Sequence, residues 1–241
     1  GVLQAVSDFD MAAGRDRFDG EYDVLEAMAA AAPGHALSLS LMQRDQDTDQ
    51  WKRILARAEQ ATMFMLLLSV FQALLVRYSG DSDIVVGSPV ANRRMVELES
   101  LVGLFVNTIA LRGDFSGDPS FREVIARNRS HVLHALENAE APLERVLEKL
   151  NIERAPGRTP LFQTMFVLQN VGVGSSSLIC VIDYSTDLFL ESTIVRMAEH
   201  FEALLDGMLK HPALPISQLS LTTGNERAEL LSLGDGGPAL A

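Results

Sequence analysis

The sequence predicts an α/β (α+β) layered sandwich, a mixed β-sheet covered by helices, and three features carry that prediction. Leu37–Leu41 reads Leu-Ser-Leu-Ser-Leu, the period-two alternation of a half-buried strand. Ile84–Val86 and Val106–Leu111 are β-branched apolar runs of strand length. Between and beyond them lie stretches with apolar residues at helical spacing, above all Phe64–Tyr78 and Glu191–Lys210. Strands separated by helices, with no repeat period, belong to one layered domain.

The elements follow in order. Gly1–Ala32 is acidic and Ala-rich, with Asp8, Asp10, Asp16, Asp19, Glu21 and Asp23, and shows only a short helical run near Val24–Ala31. After the Leu37–Leu41 strand, Asp45–Asp49 is a polar turn. Trp51–Gln60 then reads as a helix with Trp51, Ile54, Leu55 and Ala58 on one face. Thr62 is placed to cap the next helix and Gly80 to end it. Nearly every face of that helix is apolar in its first turns, so it belongs between other layers. Asp118-Pro119 is expected to open a long helix running to about Asn138, because proline suits a first helical turn. Pro142 opens a short helix ending near Leu150. Pro160–Gln169 and Leu178–Tyr184 read as strands. The last helix, Glu191–Lys210, carries the stripe Ile194, Met197, Phe201, Leu204, Leu205 and Met208, with Pro212 beyond its end. The tail from Leu219 is turn-like, then Gly/Ala-rich.

Bulk properties exclude several function classes. With 241 residues and 47% hydrophobic content the chain can bury a core. A net charge of −12 repels phosphate backbones and anionic headgroups, so neither nucleic acid nor membrane is an expected partner. No apolar run reaches the roughly 18–20 residues that cross a bilayer, and the N-terminus lacks the basic-then-apolar order of a signal peptide. Cys180 is the single cysteine, flanked by Ile179 and Val181, as in a buried-strand thiol. A chain without a disulfide fits a reducing cytoplasm.

The most informative stretch is Asp83–Arg112, DIVVGSPVANRRMVELESLVGLFVNTIALR. Each apolar run carries a polar signature: Gly87-Ser88-Pro89-Val90-Ala91-Asn92-Arg93 follows the first, and Gly103-Leu104-Phe105-Val106-Asn107-Thr108 spans the start of the second. The pair resembles the second half of a condensation domain from a nonribosomal peptide synthetase. Further blocks carry the same resemblance in the expected order. Phe64–Tyr78 with Ser79–Gly87 looks like the family's helix, turn and strand. Asn138–Glu144 is similar to (His/Asn)-Gln-Asp-x-Pro-Phe-Glu, departing at Ala139, Glu140 and Leu143. Arg154–Gln163 resembles Arg-Asp-x-Ser-Arg-x-Pro-Leu-Phe-Gln, departing at Ala155 and Gly157. Asp183–Phe189 looks like the family's last strand. The resemblance runs from about Leu37 to Leu231. It departs from the family between the Phe-Val-Leu-Gln-Asn and Asp-Tyr-Ser blocks, where only Val171–Ile182 stand in place of a longer segment with another strand or two.

The resemblance implies a chloramphenicol-acetyltransferase-like lobe at 37–218. Residues 1–36 form an N-terminal segment, a candidate remnant of the first lobe, and 219–241 start an interdomain linker. It also implies an amide-forming reaction between carrier-bound thioesters. Phosphopantetheine would arrive on carrier proteins rather than bind directly. Partners would be carrier proteins, a first lobe upstream and an adenylation domain downstream. The family's His-His-x-x-x-Asp-Gly motif is not among these residues. No catalytic residue is therefore assigned, and the 241 residues alone are expected to be inactive.

The candidate channel residues are Asn107, Thr108, Gly103, Ser88, Pro89, Arg93 and Arg158. By resemblance, Asn107 borders the channel, where its amide could bond a substrate or pantetheine carbonyl. Alternatively, Asn107 and Thr108 satisfy backbone groups at a strand end. Gly103 allows a tight backbone turn in either case. Pro89, Asn92 and Arg93 would line the lobe interface, or Arg93 pairs with Glu97 or Glu99. Arg158 would meet a carboxylate or a pantetheine phosphate, or act as a structural clamp. His131 and His134 are three apart on a helix, but no further ligand cluster accompanies them, so no metal is expected. Two other readings stay open: epimerisation, cyclisation or ester formation, and a non-catalytic module that recruits carriers or tailoring enzymes.

Overall fold

The computed structural model describes residues 2–7, 36–41, 59–91, 106–151, 160–169, 178–222, 226–228 and 231–232. Among the described residues, six strands form one mixed sheet: β1 (Val2–Ser7), β2 (Ala36–Leu41), β3 (Asp83–Val90), β4 (Asn107–Asp114), β5 (Met165–Gln169) and β6 (Leu178–Ser185). The α-helices among them are α1 (Met63–Ser79), α2 (Phe121–Glu137), α3 (Leu143–Leu150) and α4 (Glu191–Lys210). Spatial strand order is β2-β6-β1-β5-β3-β4. β1 runs parallel to β5 and antiparallel to β6. β3 and β4 form an antiparallel pair from Asp83↔Asp114 to Val90↔Asn107. The α/β sandwich expected from the sequence is the observed architecture. The expected helices at Val24–Ala31 and Trp51–Gln60 lie outside the described residues, except that Glu59 and Gln60 form a turn.

The unusual join in this sheet is β1. The sequence leaves only a short connection between β5 and β6, and those two strands are not neighbours. The N-terminal strand occupies the slot between them, pairing along Val2↔Met165 on one side and Val2↔Asp183 on the other. Strands adjacent in this part of the sheet thus come from opposite ends of the sequence.

Helix α1 forms because Thr62 caps it and nothing in its interior breaks it. The Thr62 hydroxyl accepts a hydrogen bond from Met65 N at 3.2 Å. Gly80 ends the helix at φ 79°, a left-handed conformation that costs a glycine nothing. Met65 to Leu74 are all buried, as its all-round apolar sequence requires. α1 packs on β3 and lies between α2, which covers β4, and α4, which reaches β6. The three helices thus form one layer following the strand order. Phe166 of β5, fully buried, joins sheet to helix: its ring centroid lies 5.5 Å from Phe64 and 5.7 Å from Phe71.

Two expected boundaries shift, each for a local reason. α2 begins at Phe121, not at Asp118-Pro119. Ser120 takes the cap, and Glu123 Oε2 accepts from Ser120 N at 2.7 Å, a reciprocal capping box. Those bonds hold the Glu123 carboxyl below its ordinary pKa. Pro119 lies outside the helix, where its carbonyl accepts from Ile216 N at 3.1 Å. Likewise the strand expected from Pro160 begins only at Met165, because Phe162 turns inward and Thr164 O accepts from Gly87 N at 3.0 Å.

Candidate functional site

The antiparallel register of β3 and β4 brings the two signatures together. Ser88 faces Ile109 across the ladder, Pro89 faces Thr108 and Val90 faces Asn107. Ser88, Pro89, Asn107 and Thr108, well separated in sequence, therefore meet at one end of the sheet. Ser88 is buried, and the other three are half-buried. β3 pairs with β5 only at Gly87↔Met165, so Pro89, which has no N–H, interrupts no described ladder on that side. Gly103, Arg93 and Arg158 lie outside the described residues.

Gly87 explains why the first signature opens on glycine. A Cβ built there would fall 2.3 Å from Phe162 Cε2 and 2.6 Å from its Cζ. The Phe162 ring occupies the space a side chain would need, and it is buried. Gly87→Ala is expected to push that ring off its seat at a cost of about 1–3 kcal/mol. The checks are a thermal melt and the loss of near-ultraviolet aromatic ellipticity.

Asn107 works as a clamp. Its Nδ2 donates to Ala139 O at 2.7 Å and to Ala141 O at 3.0 Å, and its Oδ1 accepts from Thr108 N at 2.9 Å. Both amide hydrogens are thereby committed to the turn between α2 and α3. The structure realises the backbone-satisfying reading of this residue, with the turn's carbonyls as partners. Asn107 thus binds the main chain of this turn and not its side chains. What remains for a bound molecule is a lone pair of Oδ1 and the hydroxyl of half-buried Thr108, groups suited to orienting a polar chain; Ser88, 3% exposed, lies behind them.

Charged groups collect at the other end of the β3–β4 pair. Arg112 Nε and Nη2 donate to Asp83 Oδ1 and Oδ2 at 2.8 and 2.7 Å, and this fork holds the Asp83 carboxyl below its ordinary pKa. Both side chains are exposed, so the pair contributes little to stability. Asp114 is also lowered, by its bonds from Ser116. No group with a shifted pKa lies beside Ser88 or Asn107 among the described residues. His131 Nδ1 contacts Arg112 O at 2.9 Å, His134 is exposed, and the described residues contain no cluster of metal-ligating side chains.

Sequence reasoning missed three residues that share a hydrogen-bonded chain elsewhere. Tyr78 Oη lies 2.7 Å from His200 Nδ1, and His200 Nε2 lies 2.7 Å from Glu226 Oε2. The available signal was His200 itself, which falls among the buried residues of α4 between Ala198 and Phe201.

The family model described as "Condensation domain" matches residues 26–176 and 171–231. The chain is 41% identical over 210 residues to a linear gramicidin synthase of Brevibacillus parabrevis, covering 74% of this chain and 3% of that protein. It is 38% identical over 207 residues to chondramide synthase cmdD of Chondromyces crocatus, covering 73% of this chain and 5% of that protein. It therefore spans only a small part of the curated relatives it matches. Among solved structures it is similar to a four-domain nonribosomal peptide synthetase bound to AMP and glycine (TM-score 0.71, 23% identity, 81% of this chain and 18% of that one). It is also similar to the X-domain from teicoplanin biosynthesis (TM-score 0.69, 20% identity, 86% of this chain and 59% of that one). With the family model matched over most of its length, from 26 to 231, this chain belongs to the condensation domain family.

Proposed function

We propose that the chain is the C-terminal lobe of a condensation domain and forms one wall of the channel where an amide bond is made. The observation that carries this is the convergence of Ser88-Pro89 and Asn107-Thr108 at one sheet end, within a chain matched by the condensation family. In the reaction, the α-amine of one carrier-bound aminoacyl group attacks the thioester carbonyl of a second. The carbon–sulfur bond breaks, the amide forms and the donor's pantetheine thiol leaves. The general base or positioning imidazole comes from the other lobe, as an imidazole with a near-neutral pKa suits that task. This lobe supplies packing, shape and hydrogen-bonding groups. Gly103, Arg93 and Arg158, outside the described residues, are proposed for the same wall, with Arg158 either meeting a carboxylate or a pantetheine phosphate or acting as a structural clamp. Residues 37–218 together with β1 make the lobe, and 219–241 lead towards an adenylation domain. No described helix is long and apolar enough to cross a membrane; the cytoplasm is proposed as the setting because the single cysteine, Cys180, suits a reducing compartment.

The test mixes two loaded carrier proteins with this chain alone, and separately with the chain fused to a first lobe that bears His-His-x-x-x-Asp-Gly. Intact-mass spectrometry is expected to find the condensed product only with the fusion. Product from the isolated chain would overturn the division of labour between lobes. Carrier binding without product in the fusion would favour a recruiting module over a condensing one.

A further inference from the structure

The segment that follows α4 is held to the lobe at three separate points, and none belongs to the sheet-end site. Arg77, at the end of α1, donates through Nη1 to three main-chain carbonyls: Ile216 O at 2.9 Å, Ser217 O at 3.3 Å and Leu219 O at 2.9 Å. Asp118 accepts from Ser217 N at 3.0 Å and from Ser217 Oγ at 2.5 Å. Ile216 and Leu219 are buried in the core between these polar fixings. The third point is the chain Tyr78–His200–Glu226.

At that third point both ring nitrogens of His200 have a partner. A carboxylate can only accept, so the hydrogen between His200 and Glu226 sits on Nε2. At Nδ1 the partner is the Tyr78 hydroxyl, which can either donate or accept. His200 is only 8% exposed, so neither ring nitrogen has ready access to water in place of its partner. A buried imidazole is costly unless both nitrogens are satisfied. Here one partner comes from α1 and the other from beyond residue 225.

We propose that Tyr78, His200 and Glu226 form a clasp that fastens the exit segment of the chain to the α1–α4 surface. The clasp extends the lobe past Leu219 and fixes the direction in which the chain leaves it. His200 is the pin: it is rigidly seated on a buried helical stripe, and Glu226 is the only part of the clasp carried by the segment being held. Arg77 and Asp118 hold the segment's near end, and the clasp holds its far end.

Hydrogen exchange on the intact 241-residue chain tests the clasp, comparing it with Glu226→Ala and Tyr78→Phe. Glu226→Ala removes a charge-assisted bond without touching the buried core. Exchange in peptides spanning 220–232 is expected to accelerate about tenfold or more. Exchange in α1 and in peptides covering 212–219 should stay unchanged. Tyr78→Phe keeps the ring but deprives Nδ1 of its partner, so the same peptides should accelerate to a smaller degree. Unchanged exchange over 220–232 in Glu226→Ala would overturn the proposal. So would acceleration shared equally by α1, which would mean that Glu226 contributes to global stability instead of local fastening.

Discussion

Asn128→Ala is expected to lower stability by about 2–4 kcal/mol. The reason is a polar network sealed inside the helical layer. Asn128 Nδ2 donates to Ser69 Oγ at 2.9 Å and to Gln72 Oε1 at 2.7 Å. Ser69 Oγ in turn donates to Met65 O at 2.7 Å, and Gln72 Nε2 donates to Leu111 O at 3.0 Å. Gln72 and Ser69 are fully buried and Asn128 is 1% exposed, so no water stands ready to replace a lost partner. The network joins α1, α2 and β4, and Gln72 also fills the space left by Gly113, where a Cβ would lie 2.7 Å from its Cδ. Truncating Asn128 strands Gln72 Oε1 and leaves a void the packed helices cannot close. A chain of this size loses about 2–4 °C in Tm per kcal/mol, so the melt should fall by roughly 4–16 °C. The double variant Gln72→Leu/Asn128→Leu separates the causes. It removes donors and acceptors together, so it should cost less than the two single changes added. Additivity in that cycle would mean that the network has no cooperative value.

This network also shows what the sequence could and could not convey. Spacing alone located α1 and α4, because Leu and Phe at three- and four-residue intervals have one physical reading. Thr62 and Gly80 marked the ends of α1 for equally local reasons. Asn128 sits on the inward stripe of α2 with Phe121, Val124, Ile125 and Val132, so a polar residue amid buried positions was visible. Its partners were not, since Ser69 and Gln72 are more than fifty residues away. The same holds for β1: Val-Leu-Gln-Ala-Val-Ser alternates only weakly, and its pairing with β5 and β6 is a long-range choice no local pattern announces. The early start expected for β5 failed because Leu161 and Phe162 read as strand residues by composition, while Gly87 offers Phe162 a seat that only the folded sheet creates. Of the site, the pairing of the two signatures was legible as a resemblance. The clamp role of Asn107 was not specified, because its partners are main-chain oxygens and main chain leaves no mark in sequence.

The clamp leads to the second large effect. Asn107→Asp keeps the size and shape of the side chain and can still accept from Thr108 N. It replaces the Nδ2 donor with an oxygen facing the Ala139 and Ala141 carbonyls at 2.7 and 3.0 Å. Three oxygens within hydrogen-bond distance and without a hydrogen between them repel, so the turn must move away. Ala139 is buried and α3 begins directly after Pro142, so a displaced turn carries α3 with it. Hydrogen exchange over 138–150 is expected to rise at least about tenfold, the loss of two hydrogen bonds with their acceptors left facing a charge. In the fused two-lobe protein the condensation rate should fall by about a hundredfold, the scale set by a displacement of about 1 Å in positioning groups. Asn107→Ala removes the donors without adding the repulsion. If Asn107 acts through the turn, Asn107→Ala will be the milder variant in exchange and in rate alike, and the two readouts will rank the variants in the same order. If its amide instead contacts the reacting chain, Asn107→Ala will lose rate while exchange over 138–150 stays near that of the unaltered protein, and the positioning role is overturned.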